Sequence, residues 1–132
     1  TLYDFGILTS NVHMAWMRTV AGRLKSDYRY SAKIVYNNFP WPIVTDEQKQ
    51  FIANTAQGIL DARSLYPECS LADLYHPNKM PLELIKAHQE NDKAVMKAYG
   101  MIKKVNGRDK LMNVSETVAR LFEMYQELTE KK

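Results

Sequence analysis

The side chains best suited to chemistry in this sequence are basic, aromatic and amide groups concentrated in its first third. Arginine and lysine can neutralise phosphates, and tyrosine, serine and asparagine can add hydrogen bonds to a nucleic acid. We therefore predict a nucleic-acid contact formed by Arg18, Arg23, Lys25, Tyr28, Arg29, Tyr30, Ser31, Lys33, Asn37 and Asn38. Spacing alone supports equally well an internal polar network in which Arg23 or Arg29 pairs with Asp27 or Asp4.

The charge distribution singles out the same segment. Residues 1–42 carry five basic and two acidic side chains, whereas residues 43–132 carry 13 of each. The formal net charge of +3 therefore lies entirely in the first third of the chain. A modest basic patch beside tyrosines is compatible with nucleic acid, but a solvated surface of mixed charge explains the counts equally well.

Other kinds of chemistry find little support. The three histidines, His13, His76 and His88, are far apart and lack the spacing of a metal site or a catalytic triad. His88 falls near the apolar face of a predicted helix, which favours a hydrogen-bonded structural role. Cys69 has no partner for a disulfide or a metal, and we expect a buried or half-buried thiol. The five glycines are scattered and form no phosphate loop, so we expect no catalytic, cofactor-binding or metal-binding residue.

The segment from Asn37 to Pro42 contains groups that could hold a flipped base, namely amides beside Phe39 and Trp41. Amino-methyltransferases use the order Asn-Pro-Pro-aromatic for this purpose, and the order here differs because proline does not occupy the second position. We favour a rigid turn in which Phe39 and Trp41 pack between two domains.

The element pattern predicts a mainly α fold. Apolar residues at Leu2, Phe5, Ile7 and Leu8 suggest a short strand, and a helical stripe follows over residues 10–24. Residues 34–36 favour a strand that ends at Pro40 and Pro42, so we place the main boundary at 42–44. Three helices then follow, at about 45–66, 81–99 and 114–130, and they can bury their apolar stripes as a small bundle.

Capping signals support these helices. Thr45 with Gln48 and Asn113 with Glu116 have the spacing of capping boxes. Between the first two helices we predict a polar connection with a possible single turn at 70–74. We read Asn106-Gly107 as part of a loop.

Several runs of residues closely resemble the C-terminal part of MmeI-like type IIG, or class I, DNA adenine methyltransferases. They include Phe5-Gly6-Ile7-Leu8-Thr9-Ser10, His13-Met14-Ala15-Trp16-Met17-Arg18, Gly22-Arg23-Leu24-Lys25-Ser26-Asp27-Tyr28-Arg29-Tyr30-Ser31, Val35-Tyr36-Asn37-Asn38-Phe39-Pro40-Trp41-Pro42 and Ala94-Val95-Met96-Lys97-Ala98-Tyr99-Gly100. The resemblance covers nearly the whole chain and is most specific in its first third.

The resemblance implies that residues 1–42 close a target recognition domain and that residues 43–132 form a helical C-terminal domain. The parent protein would be an S-adenosylmethionine-dependent methyltransferase, with or without a nuclease, whereas this portion would carry no catalytic or cofactor residue. Its expected partners are double-stranded DNA and the upstream catalytic domain of the same chain. The start at Thr1 suggests a piece excised from a longer protein, and the absence of a long apolar run or signal peptide suggests the bacterial cytoplasm.

A second hypothesis makes the helices a structural or protein-interaction module that packs on the catalytic domain or on a partner subunit. The balanced charge of residues 43–132 favours this alternative. An autonomous enzyme has almost no support, because no nucleophile, paired base or cofactor loop is recognisable.

Overall fold

The computed structural model describes residues 1–23 and 39–130. These residues form six helices and one two-stranded antiparallel sheet, which confirms the predicted mainly α fold. The elements are α1 (Leu2–Leu8), α2 (Asn11–Arg23), α3 (Asp46–Ser64), α4 (Leu71–Leu74), α5 (Leu82–Tyr99), β1 (Ile102–Val105), β2 (Arg108–Leu111) and α6 (Val114–Glu130). The strand predicted at 34–36 lies outside the described residues.

The chain divides into two compact units whose borders do not follow chain order. Unit 1 comprises residues 1–10 and 44–95, and unit 2 comprises residues 11–43 and 96–132. The three long predicted helices are all present, and α1 and α2 supply packing partners that the sequence pattern did not assign. In unit 1, α3 packs on α1, and in unit 2, α6 packs on α2.

The apolar stretch predicted as a strand is the helix α1, so that prediction was wrong. The Thr1 side chain caps this helix by accepting a hydrogen bond from the Asp4 amide at 3.1 Å. Four apolar residues in seven positions do not distinguish a helical from an extended period. Packing on α3 decides between them, because Gly6 and Ile7 are buried there.

A buried asparagine joins three helices of unit 1. The Asn91 side chain on α5 is fully buried, and its amide nitrogen donates to the Gly6 carbonyl of α1 at 2.9 Å. Its amide oxygen lies 2.8 Å from the Thr55 hydroxyl of α3. A Cβ added at Gly6 would lie 2.7 Å from Ile52 Cγ2 and 3.1 Å from Asn91 Oδ1. The close approach of α1 to α3 therefore requires glycine at position 6.

The helix boundaries follow the predicted caps. Thr45 Oγ1 accepts from the Gln48 amide at 3.1 Å while the Gln48 side chain accepts from the Thr45 amide at 2.9 Å, which confirms the first capping box. The Asn113 and Glu116 pair repeats this arrangement before α6. The single turn predicted at 70–74 is α4.

The expectation of a buried thiol was wrong, because Cys69 is exposed. It lies in the connection between α3 and α4, and every residue from 67 to 73 is exposed.

A polar network in unit 1 links α3, the end of α4 and α5. The Arg63 guanidinium lies against the rings of Phe5 and Tyr75, at 5.4 and 5.2 Å from their centroids. Its Nε and Nη2 donate to the Tyr75 hydroxyl oxygen at 3.0 and 2.7 Å, and that oxygen lies 2.6 Å from His88 Nε2. Because arginine can only donate, the tyrosine proton is available to a neutral histidine. The structural role predicted for His88 is confirmed.

Residues 102–111 form a β-hairpin where the sequence had suggested a loop. Asn106 and Gly107 have positive φ angles of 54° and 78°, as a tight two-residue turn between antiparallel strands requires. The pairs are Ile102 with Leu111, Lys103 with Lys110, Lys104 with Asp109 and Val105 with Arg108.

Replacing Gly6 should destabilise the chain. We expect Gly6→Ala to lower the free energy of unfolding by about 1–3 kcal/mol, because the new methyl group overpacks the contact with Ile52. Gly58→Ala is the matched control: this helical position has no neighbour within 4 Å, and the change should raise stability by about 0.5–1 kcal/mol. Urea unfolding followed by circular dichroism measures both variants, and equal effects would contradict the close-approach argument.

His88 should make stability depend on pH. Burial, and then the charge of Arg63, lower the pKa of His88 below its ordinary value. As the pH falls through the ordinary histidine range, His88 therefore takes up a proton in the unfolded chain before it does so in the folded chain. The stability that His88 contributes is complete above that range and decreases as the pH falls from the ordinary pKa to the lowered pKa of the folded state.

The test compares the free energy of unfolding at about pH 7.5 and about pH 5.5. We expect the wild-type loss between these values to be smaller in His88→Gln and unchanged in His76→Gln, whose histidine is exposed. A loss in His88→Gln as large as in the wild type would show that the network does not generate the pH dependence.

Candidate nucleic-acid interface

Unit 2 is organised around a buried tryptophan. Trp16 on α2 is 0% exposed, and its ring centroid lies 5.1 Å from that of Phe122 and 6.0 Å from that of Tyr125, both on α6. Phe39, which precedes Pro40, also contacts this tryptophan, with the two ring centroids 6.1 Å apart. This aromatic cluster fixes α2, α6 and the segment beginning at Phe39 to one another.

The segment 39–42 is held in place by packing and by one hydrogen bond. Phe39 is buried and also meets the His13 ring edge to face at 4.8 Å. The Tyr99 hydroxyl donates to the Pro40 carbonyl at 2.7 Å. Trp41 packs on Phe39 at 5.8 Å and keeps 42% of its surface exposed. These contacts favour the rigid-packing interpretation over a base-holding one, because the Phe39 ring already has protein neighbours.

Only part of the predicted contact set can be placed. Arg18 lies on α2 with its side chain exposed, and the described residues contain no carboxylate in an ion pair with it. The alternative partner Asp4 is exposed and forms an ion pair with the N-terminal amine at 3.6 Å. Arg23 is the last residue of α2, and its side chain is not described. The remaining candidates lie outside the described residues: Lys25, Tyr28, Arg29, Tyr30, Ser31, Lys33, Asn37 and Asn38.

Both flanks of the predicted contact segment are fixed to the same helix. This segment comprises residues 24–38. It follows Arg23, the last residue of α2, and it precedes Phe39, which packs on His13 and Trp16 of α2. The candidates between these points are therefore connected at each end to the core of unit 2.

Helices α2 and α6 pack with opposite directions. Trp16 contacts Phe122 at the middle of α6 and Tyr125 in its second half. Farther along α2, Thr19 shares an open cavity of about 480 Å³ with the first half of α6; the other lining residues are Val114, Ser115, Val118, Ala119 and Phe122. The end of α2, where the predicted contact segment begins, therefore lies beside the start of α6.

The described residues contain neither a candidate metal site nor a membrane-spanning helix. Within residues 1–23 and 39–130, no three His, Cys, Asp or Glu side chains are grouped so that they could hold a metal ion. No helix in these ranges combines the length and apolar character needed to cross a bilayer.

The sequence reasoning missed two features of unit 2. The hydrogen bond from Tyr99 to the Pro40 carbonyl had no recognisable signal in the sequence, because the two residues are 59 positions apart. The hairpin did have one: Asn-Gly between two four-residue runs is a strong sign of a two-residue hairpin turn. Reading the turn as a loop hid the fact that four basic residues fall on two paired strands.

Comparison with known proteins agrees with the helical fold and with the resemblance seen in the sequence. The family described as MmeI, target recognition domain, matches residues 1–43, and the family described as MmeI, C-terminal domain, matches residues 44–131. A curated relative, DNA methyltransferase A of Bacillus subtilis (strain 168), is 42% identical over 130 residues, which are 98% of this chain and 14% of the relative.

A solved structure of the Type IIL restriction-modification enzyme MmeI in complex with DNA is also similar. It matches 98% of this chain with a TM-score of 0.81 and 48% sequence identity, and the match covers 16% of that enzyme. The chain thus spans about one seventh of the curated relative and one sixth of the solved enzyme. Because the two family matches together cover residues 1–131, the chain belongs to the MmeI family and comprises target recognition domain and C-terminal domain sequence.

Proposed function

We propose that this chain is the non-catalytic DNA-recognition and accessory region of a site-specific DNA adenine-N6 methyltransferase of a restriction-modification system. The observation that carries the proposal is the match of nearly all of the chain to an enzyme solved in complex with DNA. The DNA methyltransferase among its relatives supports the methyl-transfer activity of the whole protein. We assign residues 1–42 to the end of the recognition domain and residues 43–132 to the helical C-terminal domain.

The proposed DNA contact combines Arg18 with the candidates from Arg23 to Asn38. Arg18 supports it because its guanidinium is exposed and has no ion-pair partner within the described ranges. The flanks of residues 24–38 also support it, because α2 on one side and Phe39 on the other belong to the packed core of unit 2.

S-Adenosylmethionine belongs, in this proposal, to the rest of the protein. Such a cofactor needs a glycine-rich turn whose amides or open backbone face the ligand. Among the described glycines, Gly6 has its carbonyl bonded to Asn91 and no room for a side chain beside Ile52, Gly58 lies within α3, and Gly100 and Gly107 each occupy a turn. These glycines do not fit that role. The chain would instead act with an upstream catalytic domain on double-stranded DNA in the bacterial cytoplasm.

A second candidate function is a structural or protein-interaction module. Trp41 and Ile43 favour it, because these apolar side chains are 42% and 97% exposed and are separated in sequence only by Pro42. Apolar surface of this kind is typical of a contact with another protein domain.

The salt dependence of DNA binding tests the main proposal. We expect the chain to bind a fluorescently labelled duplex weakly, with affinity falling steeply between about 50 and about 200 mM salt, because bound phosphates release counterions. The charge reversals Arg18→Glu and Arg29→Glu should each weaken binding and reduce the salt slope by about 1. Fluorescence anisotropy titrations provide both quantities.

The control is Lys79→Glu, which changes the charge equally at an exposed position in unit 1. A flat or absent signal from the wild-type chain would contradict DNA binding and support the interaction module. If Arg29→Glu instead unfolds a chain that had no affinity for DNA, as circular dichroism would show, the internal polar network is the correct interpretation.

A further inference from the structure

The β-hairpin concentrates positive charge on one of its faces. Successive side chains of a strand point to opposite sides, and the pairing register fixes which residues share a face. The pairs Lys103 with Lys110 and Val105 with Arg108 therefore lie on one face, which we call the cationic face. Lys104 and Asp109 oppose each other on the other face, so the hairpin's own carboxylate does not neutralise the cationic face.

This arrangement has an electrostatic cost. Lys103 and Lys110 are directly opposite, and like charges at such positions destabilise a β-ladder. One carboxylate reduces the cost: Glu116 Oε1 lies 2.8 Å from Lys103 Nζ and also accepts from the Asn113 amide at 3.1 Å. These hydrogen bonds, first that from Lys103, lower the pKa of Glu116 and keep it ionised.

Two cations of this face form no ion pair with the described residues, although Glu116 attracts Lys110 electrostatically. Arg108 and Lys110 are exposed, and no carboxylate in the described part of the chain forms an ion pair with either. Val105, which pairs with Arg108 beside the turn, is 41% exposed. The backbone that carries these side chains is held by the tight turn at Asn106-Gly107 and by the hydrogen bond from Lys103 to Glu116.

The hairpin lies near the predicted contact segment. It leads directly into α6, whose first half shares a cavity with Thr19 of α2. Thr19 is one helical turn before Arg23, from which the predicted segment continues. Within unit 2, the cationic face and the start of that segment are thus at the same end of the α2 and α6 pair.

We propose that the cationic face binds the phosphate backbone of the DNA, with Arg108 and Lys110 as its two phosphate contacts. This inference rests on the proposed DNA-binding function and extends it to a second element, in a part of the sequence whose overall charge is balanced. A polyanion fits this surface because it neutralises the two unpaired cations and the repulsion between Lys103 and Lys110. Contacts to phosphates alone predict little dependence on base sequence.

The test compares two double variants of the full 132-residue chain. Arg108→Gln with Lys110→Gln removes the two proposed contacts, whereas Lys79→Gln with Lys86→Gln removes the same charge from exposed positions of unit 1. Each is titrated against two labelled duplexes of unrelated sequence at several salt concentrations. We expect the hairpin variant to bind both duplexes about tenfold more weakly at low salt, with a salt slope reduced by about 2. The control should keep the wild-type slope.

The outcomes separate this inference from the proposed function. Wild-type binding with an unchanged slope in the hairpin variant overturns the inference and leaves the proposed function standing. A loss confined to one duplex, or an equal loss in the control, overturns the phosphate assignment. No wild-type binding at low salt contradicts both. Unfolding does not confuse the result, because removing Lys110 relieves a like-charge pair, and circular dichroism should show stability equal to or above that of the wild type.

Discussion

Unit 1 depends on the hydrogen bonds of one buried amide. Asn91 joins the Gly6 carbonyl of α1 to the Thr55 hydroxyl of α3, and it does so at a position with no access to water. Leaving a buried amide without hydrogen-bond partners costs more free energy than its hydrogen bonds contribute when they form. The Asn91 side chain therefore requires polar partners at this position. The absence of a side chain at Gly6 lets the two helices come close enough to satisfy it.

In unit 2, aromatic packing joins separate parts of the chain. Trp16, Phe39 and Phe122 come from three separate parts of the chain, and their contacts bring the two flanks of segment 24–38 to the same helix. The Tyr99 hydroxyl adds a directional contact by donating to the Pro40 carbonyl. The segment that we propose to contact DNA is therefore flanked by a core whose buried side chains are mostly apolar.

Local signals predicted much of this fold, and long-range contacts account for what they missed. The capping boxes at Thr45 and Asn113 were recognisable because the interacting residues are three positions apart. The conformation of residues 2–8 was not, since it is decided by packing on α3, which begins 38 positions after α1 ends. The charge of the hairpin was hidden by averaging: residues 43–132 are neutral in total, but strand pairing gathers Lys103, Arg108 and Lys110 on one face.

The sequence predicted the class of ligand for the candidate site but not which residues contact it. Basic and aromatic composition indicated a polyanion, but the choice between DNA contact and internal pairing depends on three-dimensional neighbours, which the structure gives for Arg18. The similar enzyme solved in complex with DNA is the reason that we propose DNA as this polyanion.

The packing of α1 has a consequence for recombination between members of this family. The family matches meet between residues 43 and 44, which suggests a seam for exchanging recognition domains between relatives. Residues 1–10, however, are on the recognition side of that seam and pack within unit 1. A chimera joined there would combine a foreign α1 with the native α3 and Asn91, so its designer should retain the resident α1 or transfer its helical partners with it.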